Sequence, residues 1–539
     1  MKAECLPFSQ IPHTIRLFAD FLTYSADVQR FYHRSPHFRE WLKLETPNHA
    51  YPSERRQRVA DILERQNRAF GSSSKTHANI SRFRNGACAA VTGQQVGLFG
   101  GPTFSLYKAL TAVRLAEQAQ AAGVDCVPIF WLATEDHDFE EVNHTFLFGP
   151  EGGLEIVEVS SSGPKDAPVG TVRFSAEIEK VVEVAANLLG AGELADILRE
   201  TYRPGETLGS AFAKLFARLF GEWGVILLDA GDPEIDAIAE PLYRSAIERA
   251  SELDEKLLER GQELESAGYH QQVKVTESTT LLFMFRDGVR VPVHRHGNGD
   301  GETQFKVGEE KLSRSKLLEK IASDPQNFSA NVLLRPVVQD YVLPTLVYTG
   351  GSAEVAYFAQ VAVVYQELLG HVTPIVPRFS ATIIEAKSQR LMERYGLSIP
   401  DLFRAPDALR ELLAARALPP DLQAAFDQAK SAIENSLSAI RASLERLDAT
   451  LVDAAKNTEE KVSYQLGQLQ ARAARAELRQ TEVLARHAEF LNNALYPSKA
   501  LQERELAGVA FLARHQLNLL RDLYSLIHTD CLDHQVVRL

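Results

Sequence analysis

Five short apolar runs, separated by segments with helical spacing, dominate the pattern of apolar and polar positions between residues 85 and 380. The runs are ACAAV, DCVPIFWLA, GVILLDAGDP, PTLVYTGG and VTPIVPRFS. Segment 104–123 separates the first two runs and has the length and amphipathic spacing of a helix. A buried strand, a helix and a second buried strand form a βαβ unit with parallel strands and a right-handed crossover. The pattern therefore predicts an α/β fold with one open, mostly parallel sheet over residues 85–380.

The remaining segments have other patterns. Residues 1–84 are polar with helical spacing, which predicts an N-terminal helical segment that joins the core. Residues 146–220 mix a short β-like stretch with helices, and residues 270–330 begin with the alternation of a hairpin or meander. We expect both regions to be insertions into the sheet domain. Beyond the sheet, we expect a helical coiled-coil domain over 381–495 and C-terminal helices over 496–539 that pack back on the core.

The segment between Pro420 and Pro497 contains no other proline, and Gly467 is its only glycine. Its apolar residues recur at alternating spacings of four and three, as in a heptad seam, at Ile433, Leu437, Ile440, Leu444, Leu447, Leu451 and Ala454. A continuous helix of this length would span on the order of 100 Å, at about 1.5 Å per residue. Because such a helix is polar outside its seam, it predicts a twofold homodimer formed through the coiled coil. The alternative is a helical hairpin within one chain.

Composition narrows the class of protein. The chain has 539 residues, which predicts two or more domains, and its content of 45% hydrophobic and 24% charged residues is typical of a globular protein. The net charge of −13 argues against binding nucleic acid through a generally basic surface. No stretch reaches the roughly 18–20 apolar residues of a membrane span, so we expect no membrane partner. The four cysteines form no CxxC pair, so we expect no cysteine zinc site and a cytoplasmic location.

The carboxyl ends of parallel strands share one edge of a sheet, and ligands bind in the crevice along that edge. The loop after the first run, TGQQVGLFGG, precedes a helix, so its amide groups and the helix dipole favour an anion such as a phosphate or carboxylate. Lys108, on the first turns of that helix, would add positive charge. The alternative is a tight turn whose glycines allow close packing. The candidate binding residues are Thr92, Gly93, Gln94, Gln95, Gly100, Gly101 and Lys108.

Segment 134–144, TEDHDFEEVNH, follows the second run and places carboxylates beside imidazoles. Such neighbours shift each other's pKa toward general acid–base work. The same residue types also bind divalent metals, and charge at a strand end can simply be solvated or cap a helix. The candidates for chemistry and binding in this segment are Glu135, Asp136, His137, Asp138, Asn143 and His144.

A third group of candidates comes from residues 331–378. Arg335, Gln339 and Asp340 have helical spacing before the fourth run, and an arginine there can bind a carboxylate or phosphate with two donors. The alternative is an Arg335–Asp340 ion pair that fastens the helix. Further candidates follow the fourth and fifth runs, at Gly350, Gly351, Glu354, Tyr357 and Arg378.

Segment 490–505, FLNNALYPSKALQERE, ends the long helix and turns at its proline. An aromatic ring there can stack on a base while cations contact phosphates. The segment is therefore a second candidate nucleotide site, with Asn493, Tyr496, Lys499 and Arg504. The alternative is a helix corner packed on the core.

Four segments of the sequence resemble the cysteine ligases of bacillithiol biosynthesis. They are AVTGQQVGLFGGPTFSLYKALTA, VPIFWLATEDHDFEEVNH, SANVLLRPVVQDYVLPTLVYTGGSAEVAYFAQ and the C-terminal helices closing on HQVVRL. They occur in the family's order and extend over nearly the full chain. The resemblance implies a Rossmann-like, nucleotidyltransferase-like core with two connecting-peptide insertions and a C-terminal α-helical coiled coil used for dimerisation. It also implies a nucleotide site near the coiled coil.

The resemblance implies that the chain joins cysteine, through its carboxyl group, to the amino group of glucosaminyl-malate in the last step of bacillithiol formation. A carboxylate does not acylate an amine at useful rates in water, so we expect activation by ATP, with ATP or ADP and Mg²⁺ as cofactors. A base then takes a proton from the attacking ammonium, and we assign this role to His137, supported by Asp136 or Asp138. Arg335 and Arg378 would bind carboxylates of malate or cysteine.

Two alternatives stay open from the sequence. One is a divalent-metal amidohydrolase that uses the EDHD cluster and His144. The other is a non-catalytic scaffold of the pathway, in which the coiled coil holds other enzymes and the sheet domain senses a ligand.

Overall fold

The computed structural model describes residues 1–42, 51–160, 167–296, 304–417, 420–448, 450–480, 482–528 and 531–539. The strands are β1 (Lys2–Leu6), β2 (Cys88–Gln94), β3 (Cys126–Leu132), β4 (His144–Phe148), β5 (Leu154–Glu158), β6 (Ile226–Asp229), β7 (Thr279–Arg286), β8 (Val289–His296), β9 (Gln304–Val307), β10 (Glu310–Ser313), β11 (Phe328–Ala330), β12 (Thr345–Gly350), β13 (Ile375–Pro377), β14 (Ala381–Ile384) and β15 (His534–Arg538).

The α-helices are α1 (Arg16–Leu22), α2 (Ala26–Gln29), α3 (Phe38–Trp41), α4 (Ser53–Phe70), α5 (Ser74–Arg84), α6 (Phe104–Ala121), α7 (Phe139–Val142), α8 (Glu177–Leu189), α9 (Glu193–Thr201), α10 (Leu208–Leu219), α11 (Pro233–Glu248), α12 (Ala250–Ser266), α13 (Arg314–Ser323), α14 (Arg335–Val342), α15 (Ser352–Leu369), α16 (Ala386–Arg394), α17 (Ile399–Leu402), α18 (Pro406–Arg416), α19 (Pro420–Leu447), α20 (Leu451–Gln480), α21 (Glu482–Leu495), α22 (Gln502–Glu505), α23 (Gly508–His515) and α24 (Asn518–Leu526). Within the described ranges, no helix combines the length and the hydropathy needed to cross a membrane.

A five-stranded parallel sheet lies at the centre of the N-terminal part, in the order β13–β12–β2–β3–β6. Helix α6 connects β2 to β3, and α15 connects β12 to β13. The apolar runs of the sequence supply these strands, so the predicted α/β sheet is confirmed. The residues of β3 are all buried, and those of β2 are buried up to Gln94, because helices cover both faces of the sheet.

Two antiparallel units interrupt the parallel sheet. Strands β4 and β5 form a hairpin, which α8, α9 and α10 follow. Strands β7 to β11 form a separate antiparallel sheet in the order β10–β9–β8–β7–β11. The alternating pattern after residue 270 predicts a hairpin or meander, and the structure has such a meander there. The β7–β8 hairpin of this sheet brings a side chain to the edge of the parallel sheet, as described below.

The two ends of the chain meet in a small three-stranded sheet of order β1–β15–β14. Lys2 pairs with Arg538 in the antiparallel β1–β15 ladder, and the sulfur atoms of Cys5 and Cys531 lie next to each other. The helical prediction for residues 1–84 is wrong over β1, because this strand is ordered by a partner at the opposite end of the sequence. The local pattern of apolar and polar residues cannot reveal pairing with a strand so far away in the sequence.

The C-terminal domain contains an antiparallel pair of long helices, α19 and α20. Arg441 forms an ion pair with Glu459 at 3.4 Å, so residues on either side of the turn face each other. The prediction of one continuous helix is therefore wrong, and the hairpin alternative is correct. The carboxylate of Asp448 accepts hydrogen bonds from the amide and hydroxyl of Thr450 at 2.9 and 2.7 Å, an arrangement that favours a turn over another helical residue.

The hairpin divides the predicted heptad seam. Ile433, Leu437 and Leu444 are half-buried, whereas Ile440 and Leu447 keep 50% and 78% of their surface exposed. Some residues of the predicted seam therefore pack between the two helices of the hairpin, and others remain exposed on the outside of the hairpin.

Candidate active site

A cavity of about 660 Å³ opens at the carboxyl edge of the parallel sheet. Its walls come from the ends of β2, β3 and β12, the first turns of α6 and α15, the start of α14, and the β7–β8 hairpin. This is the edge at which the sequence predicts a ligand crevice. The predicted site residues that line it are Gly93, Gln94, Gln95, Lys108, Glu135, Asp136, His137, Arg335, Gly351, Glu354, Tyr357, Arg378 and Arg504.

Lys108 stabilises the wall of the cavity. Its side chain is 3% exposed, and its ammonium contacts Glu354 Oε2 at 2.6 Å, the carbonyl of Gly93 at 2.7 Å and Gln94 Oε1 at 2.8 Å. An ammonium has three N–H donors, so these contacts use all of them. Burial lowers the pKa of Lys108 to about 8, although the Glu354 carboxylate opposes this shift. Lys108 thus ties the end of β2 to α15, which corrects its predicted role in holding a substrate anion.

The later glycines of the loop after β2 also serve the fold. The amides of Gly100 and Gly101 donate to the carbonyls of Gly97 and Leu98 at 3.1 and 3.0 Å. A Cβ on Gly97 would lie 2.8 Å from the Cα of Gly101. Gly100 and Gly101 lie outside the wall of the main cavity, and their φ angles of 89° and 68° favour glycine. The tight-turn alternative therefore applies to this pair, and their predicted anion-binding role is not supported.

The acidic segment after β3 forms a network with the β7–β8 hairpin. Asp136 accepts a hydrogen bond from Gln95 Nε2 at 2.7 Å, and its Oδ1 lies 3.4 Å from His137 Nδ1. Arg290, on β8, places Nη1 3.3 Å from His137 Nδ1 and 3.6 Å from Asp136 Oδ1. Its guanidinium also lies over the ring of Phe283, at 4.1 Å from the ring centroid. Arg290 could not be predicted as a site residue from the sequence, because an arginine on an alternating strand normally faces solvent.

Glu135 lies in the same wall of the cavity. Its Oε2 is shielded from solvent and has no hydrogen-bond partner among the residues that the structure describes. Burial raises the pKa of Glu135 to about 7, and the nearby charges of Arg290 and Arg335 oppose the shift. A buried carboxyl oxygen without a partner is costly, so the site is suited to a ligand that donates a hydrogen bond or carries positive charge.

Arg335 is positioned by a chain of hydrogen bonds to buried side chains, which begins at Gln339. Its guanidinium donates to Gln339 Oε1 at 3.1 Å and to the hydroxyl of Tyr357 at 3.4 Å. Gln339 in turn donates to Asp340 at 2.9 Å, and Asp340 also accepts from the hydroxyl of Tyr365. Gln339 and Asp340 thus stand behind Arg335 and outside the cavity wall, which corrects their predicted role as substrate contacts. Asp340 uses these partners instead of the ion pair with Arg335.

Arg378 follows β13, and the described part of the protein binds the two terminal nitrogens of its guanidinium but not Nε. Its Nη2 contacts Glu503 at 2.7 Å, and its Nη1 donates to the carbonyl of Phe379 at 2.8 Å. Within the described chain, its buried Nε has no hydrogen-bond partner. A Cβ on Gly351 would lie 3.3 Å from this nitrogen, so a larger side chain there would crowd the guanidinium, which lines the cavity. This group can bind an anionic ligand.

The remaining predicted residues of the site lie outside the wall of the main cavity, at Thr92, Asp138, Asn143, His144 and Gly350. The hydroxyl of Thr92 donates to the carbonyl of Thr349 at 2.9 Å and joins β2 to β12. Asn143 and His144 bond to each other at 2.9 Å, and Asp138 is exposed before α7. The positions of Thr92, Asp138 and Asn143 do not support their predicted roles, whereas His144 lines a smaller cavity of about 290 Å³ and Gly350 lines the second cavity described next.

A second cavity, of about 380 Å³, adjoins the first and lies beside the turn after α21. Tyr496, Lys499 and Arg504 line it, together with Gly350 and residues of the N-terminal segment. Asn493 instead donates to the carbonyl of Gly152 at 3.5 Å, away from this cavity. The two cavities share Gly351, Arg378 and Arg504, so one ligand can reach both.

The arrangement around the EDHD segment does not resemble a metal site. Across the described parts of the chain, no group of three or more His, Cys, Asp or Glu side chains converges as metal ligands would. The guanidinium of Arg290 lies beside both His137 and Asp136, where it would repel a divalent cation. The metal amidohydrolase alternative therefore has no support from this geometry.

Comparison with known proteins decides the family. The N-terminal Rossmann-like domain of bacillithiol biosynthesis BshC matches residues 1–379, and the C-terminal coiled-coil domain of BshC matches residues 381–539. The chain belongs to the BshC family. This confirms the resemblance described from the sequence, together with the Rossmann-like and coiled-coil architecture, and it assigns the chain a role in bacillithiol biosynthesis.

Curated relatives of the BshC family cover all or nearly all of the chain. A protein of Koribacter versatilis named "Putative cysteine ligase BshC" is 48% identical over 538 residues, which are 100% of both chains. Proteins with the same name from Solibacter usitatus and Salinibacter ruber are 37% and 32% identical, over 541 and 533 residues. The alignments cover 100% of both chains in the first case, and 97% of this chain and 96% of the relative in the second.

Proposed function

We propose that this BshC protein is a cysteine ligase, which joins the carboxyl group of cysteine to the amino group of glucosaminyl-malate. The observation that carries the proposal is the charge distribution of one cavity. Arg335 and Arg378 offer N–H donors to carboxylates or phosphates, while Glu135 offers a buried carboxyl oxygen to an ammonium. Amide formation between an amino acid and an amine requires both kinds of recognition in one site.

We further propose that ATP activates the carboxyl group, because amide formation from a free carboxylate needs a leaving group. The second cavity is suited to the nucleotide, since the exposed cations Lys499 and Arg504 on its wall would contact phosphates. Tyr496 is buried against Phe403, with ring centroids 5.0 Å apart, so it shapes the wall instead of stacking on a base. A Mg²⁺ ion would accompany the phosphates and neutralise part of their charge.

We also propose that the protein is a homodimer formed through the coiled-coil domain and that it works in the cytoplasm, without a nucleic-acid or membrane partner. The exposed apolar residues on the outside of the α19–α20 hairpin support the dimer. The acidic net charge of −13 supports the absence of a nucleic-acid partner.

Complementation tests the proposed reaction. A bacillithiol-producing strain that lacks its own ligase receives this chain, and thiols and glucosaminyl-malate are measured by mass spectrometry. The wild-type chain should restore bacillithiol and lower glucosaminyl-malate. Arg335→Gln should lose most of this effect, because a charge-assisted bidentate contact contributes about 10-fold to 100-fold in binding.

A matched control for this experiment is Arg199→Gln, which removes an exposed arginine of α9. This variant should restore bacillithiol like the wild type. If glucosaminyl-malate stays high with a folded wild-type chain, the proposed reaction is wrong. With purified protein, formation of ADP or of AMP alongside the amide product would identify the form of activation.

A further inference from the structure

His137 and Glu135 both line the cavity and could receive a proton from an amine, whereas the neighbouring carboxylates of Asp136 and Glu141 already accept hydrogen bonds from Gln95. The neighbours of each group decide which of the two accepts the proton. This inference rests on the ligase reaction proposed above.

Nδ1 of His137 already lies beside side chains of the protein. The guanidinium of Arg290 is 7% exposed and is held by Ser329 Oγ at 3.0 Å and by the carbonyl of Ala330 at 2.5 Å. Its Nη1 lies 3.3 Å from Nδ1 of His137. Asp136 Oδ1 lies 3.4 Å from the same nitrogen, so two charged side chains of the protein already lie beside Nδ1.

Glu135 is arranged as an acceptor. Its Oε2 is shielded from solvent and has no hydrogen-bond partner in the part of the chain that the structure describes, although the residue lines the cavity. An isolated carboxyl oxygen of this kind is stabilised when a ligand donates to it. The amine that attacks an activated carboxyl group is such a ligand.

We propose that Glu135, and not His137, is the catalytic residue that accepts the proton of the attacking amine. The substrate ammonium gives one proton to the Glu135 carboxylate and becomes a neutral amine. The nitrogen lone pair then forms a C–N bond with the carbonyl carbon of an acyl phosphate or acyl adenylate. The C–O bond to the phosphate breaks, its electron pair leaves with the phosphate oxygen, and the second nitrogen proton passes to solvent.

The charges around Glu135 come from several elements. Arg290 of β8 and Arg335 of α14 favour the carboxylate, whereas Asp136 beside it disfavours the carboxylate. Asp236 and Tyr243 of α11 also interact with Glu135, and the hydroxyl of Tyr243 donates to Asp236 at 2.9 Å. Burial outweighs these charges and raises the pKa of Glu135 to about 7. Below that pH the free protein holds Glu135 protonated, so kcat/KM should fall as the pH decreases through about 7.

The experiment compares the wild type, Glu135→Gln, Glu135→Asp and His137→Gln in an assay that measures amide product from cysteine, glucosaminyl-malate and ATP between pH 5.5 and 9. Glu135→Gln should lose about 100-fold or more in kcat/KM. It should also lack the fall in kcat/KM below about pH 7, which is the acidic limb of the pH profile. Glu135→Asp should recover part of the rate and keep a limb. His137→Gln should be slower than the wild type but should keep the limb. Circular dichroism and thermal unfolding confirm that each variant is folded.

The outcomes separate this inference from the proposed reaction. If the wild type forms no amide, the proposed ligase reaction is wrong and this inference with it. If the wild type is active and Glu135→Gln keeps its rate, or if His137→Gln removes the acidic limb, Glu135 is not the proton acceptor while the ligase reaction stands.

Discussion

The charged side chains of the cavity differ in how many of their hydrogen-bond donors the protein itself uses. Lys108 directs all of its donors at protein oxygens, and so it fixes the wall. In the described chain, Arg335 bonds to Gln339 and Tyr357 and keeps further N–H groups for a ligand. A cation of the first kind supports the fold, and a cation of the second kind can bind substrate.

This difference predicts the effect of removing Lys108. Lys108→Met leaves the Glu354 carboxylate buried without its cation, so the free energy of unfolding should fall by roughly 3 kcal/mol. Urea denaturation followed by circular dichroism measures the loss. The double variant Lys108→Met with Glu354→Gln is the control, because it removes both charges and should recover part of the stability. Equal stability of Lys108→Met and the wild type would contradict the structural role of the ion pair.

At the level of elements, the three-stranded sheet β1–β15–β14 contains a buried histidine that links two strands. His534 of β15 is fully buried, with Nδ1 2.7 Å from Ser380 Oγ and Nε2 2.9 Å from Thr382 Oγ1. Burial lowers the pKa of His534 to about 4, while the nearby carboxylate of Glu503 opposes the shift. The folded protein therefore keeps this imidazole neutral where the unfolded chain protonates it.

The sign of the pH effect follows from that difference. The pKa of this histidine is 6.5 in the unfolded chain and about 4 in the folded protein, so between these pH values the unfolded state binds more protons. The stability that His534 contributes is therefore fully present above pH 6.5 and is lost as the pH falls toward 4. The total loss should reach about 3 kcal/mol. Urea denaturation at a series of pH values measures it. His534→Gln should flatten the pH dependence, whereas His270→Gln, at an exposed position, should not. An unchanged slope in His534→Gln would refute the assignment.

The elements also show which features local sequence can predict. The strands of the parallel sheet were predictable, because burial on both faces makes each one a continuous apolar run. Strand β1 and the break after α19 were not, since the first depends on a partner more than 500 residues away and the second on packing between two helices. In the site, the loops after β2, β3 and β12 were predictable from topology. Arg290 was not, because only the folded meander brings it to the cavity.

At the level of the whole molecule, the outside of the coiled-coil hairpin predicts how two chains associate. Ile440 and Leu447 are seven residues apart on α19, and Val462 and Leu469 are seven apart on α20. All four are exposed, so each helix carries an apolar pair on one of its faces. We expect these pairs to lie in the proposed dimer interface.

Sedimentation velocity tests that interface. The wild type should sediment as a dimer, and the double variant Ile440→Glu with Leu469→Glu should shift toward monomer, because it buries charge at the contact. Val184→Glu changes a similarly exposed apolar residue on α8 and should leave the dimer intact. A monomeric wild type, or a double variant that stays dimeric, would show that the hairpin is not the interface.

The pairing of the first strand with the last has a consequence for synthesis of the protein. Strand β1 leaves the ribosome more than 500 residues before β15, which separates it from β14. The segment that lines the second cavity, including Phe8 and His13, therefore cannot take its final place until β15 has been made. The parallel sheet can form during translation, whereas this wall of the cavity is completed afterwards. A nonsense mutation before β15 would thus leave β1 without its partner strand, although the two strands lie far apart in the sequence.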